Sequence, residues 1–283
     1  MTYLKTQSLV LLALITLLSA CGVLREPAAA SGPIAAVPLE VAGATEAADL
    51  TSTSNESETA AAETADPADP TTEPMEAVPE ASMEEAAPEE MTAEPTEKAA
   101  APAAGDVTVF EISQNSSQVR FELDEDLRGN RLTVVGMTDK VAGQIAVNYA
   151  DLSTMQVGEI RINARALATD NNFRNRAIQN EILDTGSYEF ITFTPTAVND
   201  LPHSVAIGDS VQFTLVGDLT IRDISSEVTF AVQATAVSET EFSGTATALV
   251  TRETYGLQIP SVPNVANVEE EVELYIAFTA NAA

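Results

Sequence analysis

Near the end of the chain, Val272, Leu274, Ile276 and Phe278 alternate with Glu271, Glu273, Tyr275 and Ala277. A period of two belongs to a strand with one face buried and the other in water. The same alternation runs through Val119, Phe121 and Leu123, through Val141, Gly143, Ile145 and Val147, and through Ile160 and Ile162 with Arg161 and Asn163 opposite. It returns at Val211, Phe213 and Leu215, at Leu219 and Ile221, at Val228, Phe230 and Val232, and at Phe242, Gly244, Ala246 and Ala248. About eight strands are expected, joined at Gly129-Asn130, Gly186-Ser187, Gly208-Asp209 and Asp223 by connections short enough to favour antiparallel pairing. A sandwich and a barrel both satisfy this pattern. The even strand lengths and the lack of an edge strand guarded by proline or lysine favour the barrel. One interruption is helical: Asn171 to Leu183 spaces Phe173, Ala177 and Ile182 four and five apart, behind Asp170 or Asn171 as N-cap.

The alternation begins only at Val107. Residues 26–105 are dominated by Ala, Glu, Pro, Thr and Ser, which bury too little surface to offset chain entropy, so the stretch is expected to be a disordered acidic tether. As a flexible coil its root-mean-square span is roughly 45 to 55 Å. The chain thus divides into a leader at 1–20, a tether at 21–105 and one folded domain at 106–283. The formal charge of −30 is shared by both parts: Asp and Glu number 18 in residues 26–105 against Lys98, and 25 in residues 106–283 against ten Lys and Arg. Neither part offers a basic footprint for phosphate, so nucleic acid is not expected as a partner.

Lys5 and the ten-residue run Leu9 to Leu18 have the layout of a secretory signal, about half the length that spans a bilayer. Leu18-Ser19-Ala20-Cys21 follows, and it resembles the lipobox of bacterial lipoproteins. The resemblance implies a diacylglycerol on the Cys21 sulfur, cleavage before Cys21, and an extracytoplasmic domain anchored in a bacterial cell membrane, stably so with two or more acyl chains. An ordinary secretory signal whose cleavage site happens to precede a cysteine is the plainer alternative.

Within the domain, Thr169-Asp170-Asn171-Asn172-Phe173-Arg174-Asn175-Arg176-Ala177-Ile178 leads through Ile182-Leu183 and Tyr188 to Ile191-Thr192-Phe193. Together with Gly217-Asp218-Leu219-Thr220-Ile221, Val228-Thr229-Phe230, Arg252 and Tyr255-Gly256-Leu257, this run resembles the YceI-like family over nearly all of residues 107–280. The resemblance implies a lipocalin-like antiparallel barrel whose apolar interior holds a polyisoprenoid or similar long amphiphile. Two positions depart from the family pattern. A histidine common early in the domain is missing between Asp124 and Arg131, and Arg222-Asp223-Ile224 stands where a glycine-containing loop is usual.

The inward positions expected to line such a cavity are Phe121, Leu123, Ile145, Val147, Ile160, Ile162, Phe190, Phe193, Phe213, Leu215, Leu219, Ile221, Phe230, Val232, Ile276 and Phe278. An eight-stranded barrel is near the size at which side chains alone fill the interior, so a packed structural or interaction lipoprotein without ligand remains the rival reading. Arg174 and Arg176 either grip a head group or pair with Asp170 and Glu181. His203, the only histidine, stands in a loop sequence without spaced metal partners or a Gly-x-Ser-x-Gly elbow, and no glycine-rich phosphate loop follows a strand. Neither catalysis, cofactor nor metal is expected; the expected partners are a long-chain lipid and the membrane.

Overall fold

The computed structural model describes residues 25–40 and 107–283. The expected leader, Cys21 and the acidic stretch from residue 41 to residue 106 lie outside the described residues. Thirteen strands form one antiparallel sheet, eight of them five residues or longer. The long strands are β1 (Thr108–Ile112), β2 (Gln118–Leu127), β3 (Asn130–Thr138), β8 (Phe190–Asn199), β9 (Ser210–Ile221), β10 (Ile224–Ala236), β11 (Glu241–Thr251) and β13 (Glu271–Ala282). The short ones are β4 (Val141–Ala142), β5 (Gln144–Val147), β6 (Gln156–Val157), β7 (Ile160–Asn163) and β12 (Val265–Ala266). The pairing order is β4-β7-β8-β9-β10-β11-β13-β1-β5-β6, with the β2–β3 hairpin attached to β13.

Alternation dictates the curl. In β9 every second residue is buried, and in β10 every second residue from Val228 on, placing Val211, Phe213, Leu215, Leu219 and Ile221 beside Val228, Phe230 and Val232 on the concave face. Two-residue turns sharpen the hairpins: Arg128 and Gly129 at φ 53° and 81° link β2 to β3, and Arg222, at φ 60°, with Asp223 links β9 to β10. Positive φ at both central residues is the turn whose twist matches the strands it joins. Strand β13 divides its second edge, giving Glu273–Ala277 to β2 and Ala280–Ala282 to β1. The sheet therefore curls into a half-barrel and splits at one end.

Two expected elements are broken. The alternating run from Val141 to Val147 is two strands, β4 and β5, hinged at Gly143, where a side chain would run into Ile160 and the Glu159 carbonyl. That hinge lets one short segment pair with β7 on one side of the seam and β1 on the other. The expected helix over 171–183 is α1 (Asn172–Ala177), six residues long, continued by a single π-type turn over Ile178–Ile182. Asn171 is its cap, accepting from the amides of Phe173 and Arg174.

A further correction concerns the tether. Residues 25–40, most of which were expected to be disordered, lie extended along the domain. Gln114 behaves like a neighbouring strand: its Nε2 donates to the Ile34 carbonyl at 2.7 Å and its Oε1 accepts from the Ile34 amide at 3.4 Å. Gln144 accepts from the Leu39 amide at 2.8 Å, and Glu189 from the Ser31 amide at 2.7 Å. Ile34 is buried. Asn163, expected to face solvent, is fully buried and donates to Glu189 at 2.8 Å beside this strap. The strap crosses the seam between the β4–β7 and β1–β5 pairs, shielding a sheet edge that would otherwise be free to pair elsewhere.

Candidate functional site

At the split end of the half-barrel the interior is open. A cavity of about 290 Å³ lies between the β2–β3 hairpin, α1 with its π turn, the loop running from Tyr255 to Val268, and the ends of β8, β9, β11 and β13. Its walls follow from the strand period. Phe121, Leu123, Glu125 and Leu127 are successive inward positions of β2, and Val134 faces them from β3. Gly136 stands directly across from Phe121 in the β2–β3 register, and the Phe121 ring occupies the place its side chain would take. The helix contributes Phe173 and Ala177, and the π turn adds Ile178, Ile182 and Leu183. Ile191, Ile221, Val250, Val272 and Leu274 form the floor, and Leu257, Ile259, Val262, Val265 and Val268 close the loop side.

The charged groups on this wall are already paired. Glu125, at an inward position, is buried, and Arg174 Nη2 meets its Oε1 at 2.7 Å. The other Arg174 amino group reaches Asp170 at 2.5 Å. Arg252 holds the loop closed through Glu270 at 2.8 Å and through the carbonyls of Val268 and Glu269. Tyr255 is buried, which pushes its phenol up to about 12 against a weaker opposing pull from Ser226, so it stays neutral at any physiological pH. Among the described residues no cluster of His, Cys, Asp and Glu suits a metal.

Of the positions expected to line a cavity, Phe121, Leu123 and Ile221 are on its wall, with Arg174 at its polar edge. Ile145, Val147, Ile160, Ile162, Phe193, Phe213, Leu215, Leu219, Phe230, Val232 and Phe278 are in the packed body instead. There the rings interlock, Phe193 on Phe230 at 5.0 Å and Phe242 on Phe278 at 6.2 Å. Ile276 packs half-buried against that body, and Phe190 lies under the Arg161 guanidinium at 4.3 Å. Arg176 is not on the cavity wall. His203 is exposed in its loop, 3.8 Å from Asp151. The packed core and the cavity occupy different ends of the same sheet. The loop wall from Leu257 to Val268 escaped the sequence reading because it has no strand period. Glu125 was legible, two residues beyond Leu123 on the same face.

The YceI-like domain matches residues 110–280, more than half of the chain. The chain belongs to the YceI-like family. No curated protein matches it by sequence. Among solved structures, a polyisoprenoid binding domain from Saccharophagus degradans implicated in plant cell wall breakdown is similar with a TM-score of 0.51 at 13% identity, covering 62% of this chain and 99% of that one. BcnA of Burkholderia cenocepacia is similar with a TM-score of 0.48 at 17% identity, covering 60% of this chain and 99% of that one. At such identities the likeness to the first structure establishes the YceI-like fold: a mostly β, curled antiparallel sheet with one short helix.

Proposed function

We propose that this YceI-like protein is a non-enzymatic binder of a long-chain amphiphile, a polyisoprenoid, a quinone-like molecule or a fatty lipid, which it carries or sequesters in the cell envelope while anchored through lipid on Cys21. The observation that carries the reading is the composition of the cavity. An almost wholly aliphatic enclosure with its carboxylate and guanidinium groups already paired favours transfer of an apolar chain out of water by about 25 cal/mol per Å² buried. It provides no group for bond making. The printed description of the Saccharophagus degradans relative as polyisoprenoid binding supports the same ligand class, and the Leu18-Ser19-Ala20-Cys21 sequence supports the anchor.

Native mass spectrometry of the full chain, extracted gently from the membranes of its expression host, tests the ligand. A prenyl or acyl species released on denaturation is the expected result. A bare protein mass that persists after incubation with prenols, quinones and fatty acids overturns the binding role in favour of a scaffold.

A further inference from the structure

The N-terminal strap has a direction. Arg25 lies at the cavity end of the domain, where its carbonyl accepts from Asn180 Nδ2 at 2.7 Å. Asn180 belongs to the π turn whose Ile178 and Ile182 wall the cavity. From there the strap runs past Arg165 and Glu189 to Gln114 and Gln144. Only three residues stand between Cys21 and Arg25, so the two are at most about 14 Å apart even in a fully extended chain. The acidic stretch begins after Glu40 and returns at Val107, and both of these residues are on the domain side of the strap. It therefore does not separate the domain from Cys21.

The cavity rim carries apolar side chains that the fold leaves in water. Phe173, on α1, is 65% exposed, and Val262, on the facing loop, is 40% exposed, although both also line the cavity. Ile224, exposed at the start of β10, packs near Gly256 at the same end. Such a group around an opening marks a contact surface. The volume argues alike: about 290 Å³ is at the lower limit of ligand pockets, so a long chain placed there leaves part of its length outside the mouth.

We propose that the rim bearing Phe173 and Val262 rests on the surface of the bilayer, so that the cavity opens directly onto acyl chains. The inference depends on lipid attachment at Cys21, which brings this end of the domain within reach of the membrane. Asp170, Glu253 and Glu270 lie beside Arg174 and Arg252 near the rim, so apolar contact and the covalent anchor hold it, and a neutral phosphatidylcholine surface suffices.

The test uses the full lipidated chain in phosphatidylcholine vesicles. Cys21 is the only cysteine and lipid attachment consumes its thiol, so Phe173→Cys, Val262→Cys and Glu239→Cys each present one thiol for an environment-sensitive fluorophore. Glu239 is exposed in the β10–β11 turn, at the end of these strands remote from the cavity. Nitroxide-bearing lipids are expected to quench the labels at 173 and 262 on the order of five-fold more strongly than the label at 239, as for side chains inserted at the headgroup boundary. Equal, weak quenching at all three positions on vesicle-bound, lipidated protein overturns the proposed orientation and leaves the anchor standing. An unmodified Cys21 mass with no vesicle association overturns the anchor, and the orientation with it.

Discussion

Arg174 holds together three parts of the molecule: the helix it sits on, Asp170 before that helix, and Glu125 inside the β2 wall. Glu125 is tolerated at an apolar position only because that guanidinium faces it, since a buried carboxylate without a partner keeps its full desolvation cost. Arg174→Ala is therefore expected to lower stability by about 2 to 3 kcal/mol, measured by urea denaturation. Affinity for an uncharged prenol should stay nearly unchanged, because the hydrocarbon wall is untouched. A large loss of affinity in a protein of unaltered stability would instead assign Arg174 to the ligand's head group.

The strap is the element whose docking responds to acid. Burial raises the Glu189 carboxyl, but its hydrogen bonds from Ser31 and Asn163 and the Arg165 charge outweigh this and hold it below its usual 4.5. A group depressed by folding contributes its full share above the unfolded value and loses it as pH falls through the lowered one. Hydrogen exchange at the Ser31 amide, taken relative to the unprotected rate at each pH, should accordingly be slow at neutral pH and down to about 4.5, then quicken on further acidification. Glu189→Gln should make it fast at neutral pH and remove the acid response. The helix is the other adaptable element. Its six residues end in a π turn, an irregularity frequent at functional sites, and it forms one side of the cavity wall.

At the scale of the whole molecule, one sheet encloses a packed core at one end and a cavity at the other. The interlocked phenylalanines fix the closed end, so a ligand's binding energy is not spent on ordering the sheet. A ligand that binds only the folded state stabilises it by about 2.7 kcal/mol at a hundred times its Kd, worth about 5 to 10 °C in Tm for a domain of this size. Thermal denaturation with and without a short prenol should show that rise. A Leu123→Trp variant, filling the cavity from β2, should show little of it.

The strands were legible in the sequence because burial on one face imposes a period of two, which β9 follows residue by residue, β10 from Val228 on, and β13 at Val272, Phe278 and Ala280. Asn171 was legible as a cap for the equally local reason that its side chain bonds amides two and three residues on. Inward direction was thus readable, but the choice between filling and lining was not. Phe213 and Phe121 have the same pattern, yet one is packed in the body and the other walls a cavity. Which outcome an inward residue meets depends on what stands across the barrel, here Gly136, the helix and an aperiodic loop brought in from far along the chain. The strap shows the same division. Composition marked residues 26–105 as unable to fold alone. Whether Ile34 finds a groove and two glutamine side chains to bond with is decided by the surface the tertiary fold presents, since contacts between residues 80 or more apart leave no local period to read.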